Sequence, residues 1–108
     1  MQDTMVAIDE KRKSIRKTCT YLPVDFVFED RLQRGLIINI SQAGACVENQ
    51  MEIQPGAKTT MTFLENHDEG PVKTTASIVR SFDNGFAVHF NTLTPKQQDA
   101  IKSFVEMP

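Results

Sequence analysis

A chain of 108 residues holds one domain with a single core, and a charged fraction of 24% without Trp marks an ordinary water-soluble composition. No apolar run approaches the roughly 20 residues that cross a bilayer, which excludes membrane insertion by a helix. The acidic first ten residues lack the basic-then-apolar layout of a secretion signal, so the expected compartment is the cytoplasm.

Residues 1–10 show neither a helical nor a strand period and are expected to be mobile. A basic hook follows, with Lys11, Arg12, Lys13, Arg16 and Lys17 standing together without an acid. Net charge is −2 overall, yet outside this hook seven cations face fourteen acids, a net charge of −7. A basic hook on an acidic body lacks the extended positive face that DNA or RNA binding requires, and it suits a small, doubly charged anion. Residues 1–17 are read as a flexible arm and 18–108 as the folded body.

From Thr18 the pattern becomes that of strands. Val24, Phe26 and Phe28 alternate with Asp25, Val27 and Glu29, and Glu29–Gln33 is the expected turn. A second strand runs from Gly35 to Ile40 with Leu36, Ile38 and Ile40 on one face, and Gly44 opens a third that runs to Glu48. After the Pro55–Gly56 turn, Lys58–Leu64 alternates as a fourth strand, followed by a polar loop over 66–71. The fifth strand, Val72 to Phe82, leads into Asp83–Asn84–Gly85, where Asn-Gly between apolar runs signals a hairpin. Phe86–Phe90 is the sixth.

The chain then predicts a helix. Thr94 is a suitable N-cap, Pro95 suits the first position, Gln97 completes a capping box, and Ala100, Ile101, Phe104 and Val105 form an apolar stripe. Six strands at hairpin spacing followed by one amphipathic helix describe a small antiparallel β-barrel with a helical lid.

Cys19 and Cys46 have neither the close spacing nor the neighbouring His of a redox or metal pair, and are expected to be buried and reduced. His67 falls in a loop and His89 in a strand, without companions at ligand spacing, so no metal is expected. The acids are scattered and no nucleophile is paired with a base, which argues against an enzyme. A single-stranded nucleic-acid barrel would interleave exposed aromatics with cations, whereas Phe26, Phe28, Phe63, Phe86 and Phe90 fall at core-like alternation.

Two short motifs carry chemistry. Arg12 and Arg16 form an R-x-x-x-R pair; each guanidinium can fork onto a phosphate, engage paired acceptors on a planar group, or stack on an aromatic face. By itself such a pair is equally a solvated basic tail. Asn39-Ile40-Ser41-Gln42-Ala43-Gly44 is an N-x-S-x-x-G turn between two apolar runs. Asn39 can accept through its carbonyl oxygen, Ser41 can accept or donate, and Gly44 permits positive φ and close approach of a ligand to the backbone. The alternative is a structural turn in which Asn39 and Ser41 bond local backbone groups.

Both motifs, in this order, resemble the RxxxR and [D/N]xSxxG signatures of the PilZ domain, a bacterial receptor module for cyclic di-GMP. The likeness extends over about residues 10–106 and includes Pro55–Gly56 before a strand, Ile78-Val79-Arg80, and Gly85-Phe86-Ala87-Val88-His89-Phe90. It implies an all-β-dominated, six-stranded antiparallel barrel with a C-terminal helix. It also implies cyclic di-GMP as the ligand, with no cofactor, and a downstream protein partner that reads the bound state; monomer and dimer are both compatible.

Carried over residue by residue, the resemblance assigns Arg12 and Arg16 to guanine and phosphate, Asn39 and Ser41 to base contacts, and Gly44 to the close-approach turn. Asn39 stands where Asp is more frequent. Lys11 sits where PilZ domains vary with ligand stoichiometry. Ligand binding would fold the hook across the barrel and create a surface for a partner in motility, adhesion, biofilm or exopolysaccharide control. The alternative is a PilZ-like adaptor that has lost nucleotide binding.

Overall fold

The computed structural model describes residues 16–64 and 70–107. Seven strands and one helix occur among them: β1 (Lys17–Thr18), β2 (Pro23–Phe28), β3 (Arg31–Ile40), β4 (Gly44–Glu48), β5 (Lys58–Phe63), β6 (Val72–Phe82), β7 (Gly85–Phe90) and α1 (Pro95–Glu106). Every pairing is antiparallel, in the order β3–β2–β5–β6–β7–β4, and β4 pairs back onto β3. Six strands thus close a barrel, the architecture expected from the alternation. The short β1 adds outside that circuit, with Lys17 opposite Ile40 and Thr18 opposite Asn39.

Inward positions fill the barrel. Phe26, Ile37, Ile40, Met61, Phe63 and Phe86 are fully buried; Phe26 meets Phe86 edge-on at 5.2 Å and Phe63 stacks with Phe90 at 5.7 Å. Rings in these offset and T-shaped arrangements contribute about 0.5–1.5 kcal/mol beyond the area they bury. Helix α1 contributes Ala100, Ile101 and Val105 to the same core. Its capping box is complete: Thr94 Oγ1 accepts from Gln97 N–H at 3.1 Å, and Gln97 Oε1 accepts from Thr94 N–H at 3.0 Å.

Several local expectations change. The turn after β2 is two residues, not five: Glu29 and Asp30 both take positive φ, 53° and 63°, and β3 begins at Arg31. Paired positive φ values match the right-handed twist of the strands they join. Leu36, Ile38 and Ile40 do not share a face. Register shifts between Ile37 and Asn39, so Ile37 is buried, Ile38 is 40% exposed, and Ile40 returns to the core. Neither Asp83 nor Asn84 has positive φ, so the β6–β7 hairpin is not the Asn-Gly type. Pro55–Gly56 is a type II turn, with Gly56 at φ 96° and Ala57 N–H donating to Gln54 O at 3.2 Å.

Cys19 and Cys46 are free and half-buried rather than buried. Burial raises the Cys19 thiol above its ordinary range, against a smaller lowering from the Lys17 charge. Residues 1–15, including the expected mobile stretch and most of the hook, and residues 65–69, with His67, lie outside the described residues. Among the described residues no helix is long and apolar enough to cross a membrane.

Candidate functional site

The N-x-S-x-x-G segment joins β3 to β4, the two strands whose pairing closes the barrel. Ser41 is 2% exposed, and its Oγ accepts from Ala43 N–H at 3.1 Å and Gly44 N–H at 3.3 Å. Ser41 N–H also donates to Gly44 O at 2.9 Å. The serine therefore builds the turn from inside, as short hydroxyl side chains do where backbone donors would otherwise be unpaired.

Gly44 is needed for another reason than the expected positive φ, which it does not have. A Cβ at this position would lie 2.1 Å from Val88 O on β7. The close approach it permits is therefore that of the protein's own next strand.

Asn39 is half-buried near the end of β3, between Thr18 of β1 and Cys46 of β4. Arg16, exposed and immediately before β1, donates from Nη1 to Asn39 Oδ1 at 2.6 Å. Residues 23 positions apart in sequence, one from each motif, thus meet directly. The pairing Thr18↔Asn39 brings them together, because it sets Arg16 beside the end of β3. Lys11 and Arg12 lie outside the described residues.

In the sequence Lys17 is one cation of a run; in the structure it has a separate place. Its Nζ donates to Phe104 O and Met107 O, each at 3.1 Å, and lies 4.4 Å from the Phe104 ring centre. Helix α1 has no basic residue in its last turn, so the partial negative charge at its C-terminal end is met by a cation from β1 instead, which joins the Met107 N–H on Phe104 O and also bonds the C-cap carbonyl of Met107. The missing cation at the helix end was the available signal; which lysine supplies it depends on the fold.

A shallow depression beside the turn is lined by Gln42, Ala43, His89, Asn91, Leu93 and Gln98, and contains neither Arg16 nor Asn39. Among the described residues no three His, Cys, Asp or Glu side chains cluster as a metal site.

The profile of the PilZ domain matches residues 10–107. This chain belongs to the PilZ family. Solved structures with the same fold include the inhibitor of motility MotI/DgrA of Bacillus subtilis, at 20% identity and TM-score 0.73 over 88% of this chain and 49% of that one. They also include the PilZ domain of YcgR from Escherichia coli, with c-di-GMP, at 12% identity and TM-score 0.70 over 88% of both chains. The PlzA protein of Borreliella burgdorferi, in complex with c-di-GMP, follows at 11% identity and TM-score 0.67 over 95% of this chain and 46% of that one. The chain spans about half the length of the Bacillus and Borreliella proteins. At these identities the likeness is one of fold. No curated protein matches the chain.

Proposed function

We propose that this PilZ domain is a receptor for cyclic di-GMP that binds the dinucleotide between its basic N-terminal hook and the Asn39–Gly44 turn, and signals to a partner protein. The observation that carries the reading is the 2.6 Å contact between Arg16 and Asn39, which joins the two motifs that would have to act on one ligand. Two PilZ-fold structures in complex with c-di-GMP support the choice of ligand. In this reading Arg16 and Arg12 supply forked donors for phosphate and for guanine O6 and N7. The two phosphates neutralise part of the hook, whose five cations have no acid among them. Gly44 and Ser41 hold the turn on which the ligand rests, with Asn39 alongside. The ligand acts only by its preference for one arrangement of the hook over others.

One observation favours the adaptor reading. The Ser41 hydroxyl is buried and already accepts two backbone hydrogen bonds, so it has little to offer a ligand. Calorimetric titration separates the two. Saturable heat with cyclic di-GMP, absent with GTP and cyclic AMP, is the expected result. Arg16→Ala should weaken binding by about 1.5–3 kcal/mol, the worth of a charge-assisted hydrogen bond. No saturable heat with the wild-type chain overturns the receptor and leaves the adaptor.

A further inference from the structure

Strand β3 is flanked on both edges over only part of its length. Residues 31–35 pair with β2, whereas pairing with β4 begins at Leu36. Along this stretch the backbone groups of successive residues point to alternate edges. Ile37 N–H donates to Leu22 O at 2.8 Å, on the β2 side, so Arg31, Gln33 and Gly35 face β2 and Leu32 and Arg34 face the opposite edge. There Arg34 O accepts from Asn49 Nδ2 at 2.8 Å, and the chain turns away as Asn49 Oδ1 takes Met51 N–H. Among the described residues no strand lies opposite Leu32 on that edge. Its side chain is 70% exposed and neighbours Val27, 37% exposed, across the hairpin. Neither a proline nor a bulge, two usual guards of an open edge, interrupts residues 31–35.

We infer that this edge pairs with the same edge of a second copy of the chain, antiparallel and about a two-fold axis through Leu32. An open strand edge templates another strand, and a two-fold axis lets one short stretch complete itself. The axis can fall on Leu32 or on Gln33. An axis on Gln33 would set Leu32 against Arg34, in the place where the Asn49 amide already stands on Arg34 O. An axis on Leu32 leaves that bond intact, and each Leu32 N–H donates to Leu32 O of the other copy. The two exposed Leu32 side chains then meet, with Val27 beside each. One step beyond, Asp30 of either hairpin tip comes opposite Arg34 of the other copy, so opposite charges meet twice. Asp25 holds that arginine in place, through Nε at 2.9 Å and Nη2 at 3.3 Å. Residues 31–33 of each copy make a small interface, so the pairing is weak, with a dissociation constant of about 0.1–1 mM. Neither Arg16 nor Asn39 takes part, and the inference stands apart from the cyclic di-GMP reading.

Sedimentation equilibrium of the full chain without nucleotide tests this. By mass action, the weight-average mass should rise from below about 1.3 times the monomer mass at about 20 μM to about 1.5–1.8 times at about 1 mM. Leu32→Lys, at an exposed side chain, sets like charges opposite each other and should weaken the association by about tenfold or more. Wild type at its monomer mass throughout overturns the inference and leaves the edge to a strand of another protein. Self-association that Leu32→Lys leaves unchanged overturns it too, by placing the contact elsewhere. Hydrogen exchange of the Leu32 amide in wild type gives a second readout should the variant not fold. It should slow about two- to fourfold over the same concentration range, as the free edge is consumed. Exchange that is equally fast at every concentration means an edge that stays open, and equally slow exchange means one covered within a single chain; either result overturns the inference.

Discussion

Gly44 and Ser41 show how little of a motif's chemistry can be assigned from residue type alone. The N-x-S-x-x-G spacing located the turn correctly, but the serine is spent on backbone donors and the glycine on clearance for Val88 O. The glycine's clearance depends on β7 lying against β4, which no local pattern encodes, whereas the serine's bonds are local and match the structural-turn alternative that the sequence offered. Gly44→Ala should therefore destabilise the fold by about 1–3 kcal/mol, since a methyl group 2.1 Å from a carbonyl oxygen forces two strands apart. A denaturant midpoint indistinguishable from wild type would remove this explanation for the glycine. Asn39 was legible as a polar residue at the end of a strand, but its contact with Arg16, 23 positions away, became visible only with β1 paired to β3.

Among the elements, the strands and the helix were readable because alternation and capping are local. The failures were local as well, but of kinds that periodicity does not record. Glu29 and Asp30 adopt positive φ without a glycine, so the turn looked longer than it is. The register shift after Ile37 moves Ile38 outward and interrupts an alternation that the sequence continues without a break. Gly85 suggested a turn glycine, whereas its Cβ would lie 2.2 Å from Val47 O, another close approach of strands.

Helix α1 and β1 are joined by Lys17, whose ammonium bonds the carbonyls of Phe104 and of the C-cap residue Met107 and lies 4.4 Å from the centre of the Phe104 ring. Lys17→Met keeps most of the apolar stem but removes the charge. Expected is a loss of about 1–2 kcal/mol in stability by urea unfolding, with faster amide exchange in the last turn of α1. Unchanged stability and exchange would mean that the lysine is incidental to the helix end.

Closure of the barrel explains why the two motifs can cooperate at all. The β3–β4 turn lies on the seam where the sheet meets itself, braced by β7 on one side, and β1 pairs with the end of β3 on the other. Arg16 thus arrives at Asn39 through backbone pairing rather than through a free tail, and Lys17, the next residue, ties the same strand to α1. A ligand drawn to Arg16 and Asn39 would act on one short strand that is also fastened to the C-terminal helix. The β-barrel and its helix followed from periodicity in the sequence; this linkage did not, because it consists of contacts between segments far apart in the chain.

Amide chemical-shift mapping of the chain during titration with cyclic di-GMP tests the account most directly. Saturable shifts concentrated at Arg16–Cys19 and Asn39–Gly44, and extending to Phe104–Met107 through Lys17, are expected. Saturating ligand that leaves these segments unmoved, or that shifts only the groove of Tyr21, Leu36 and Met51, would contradict it.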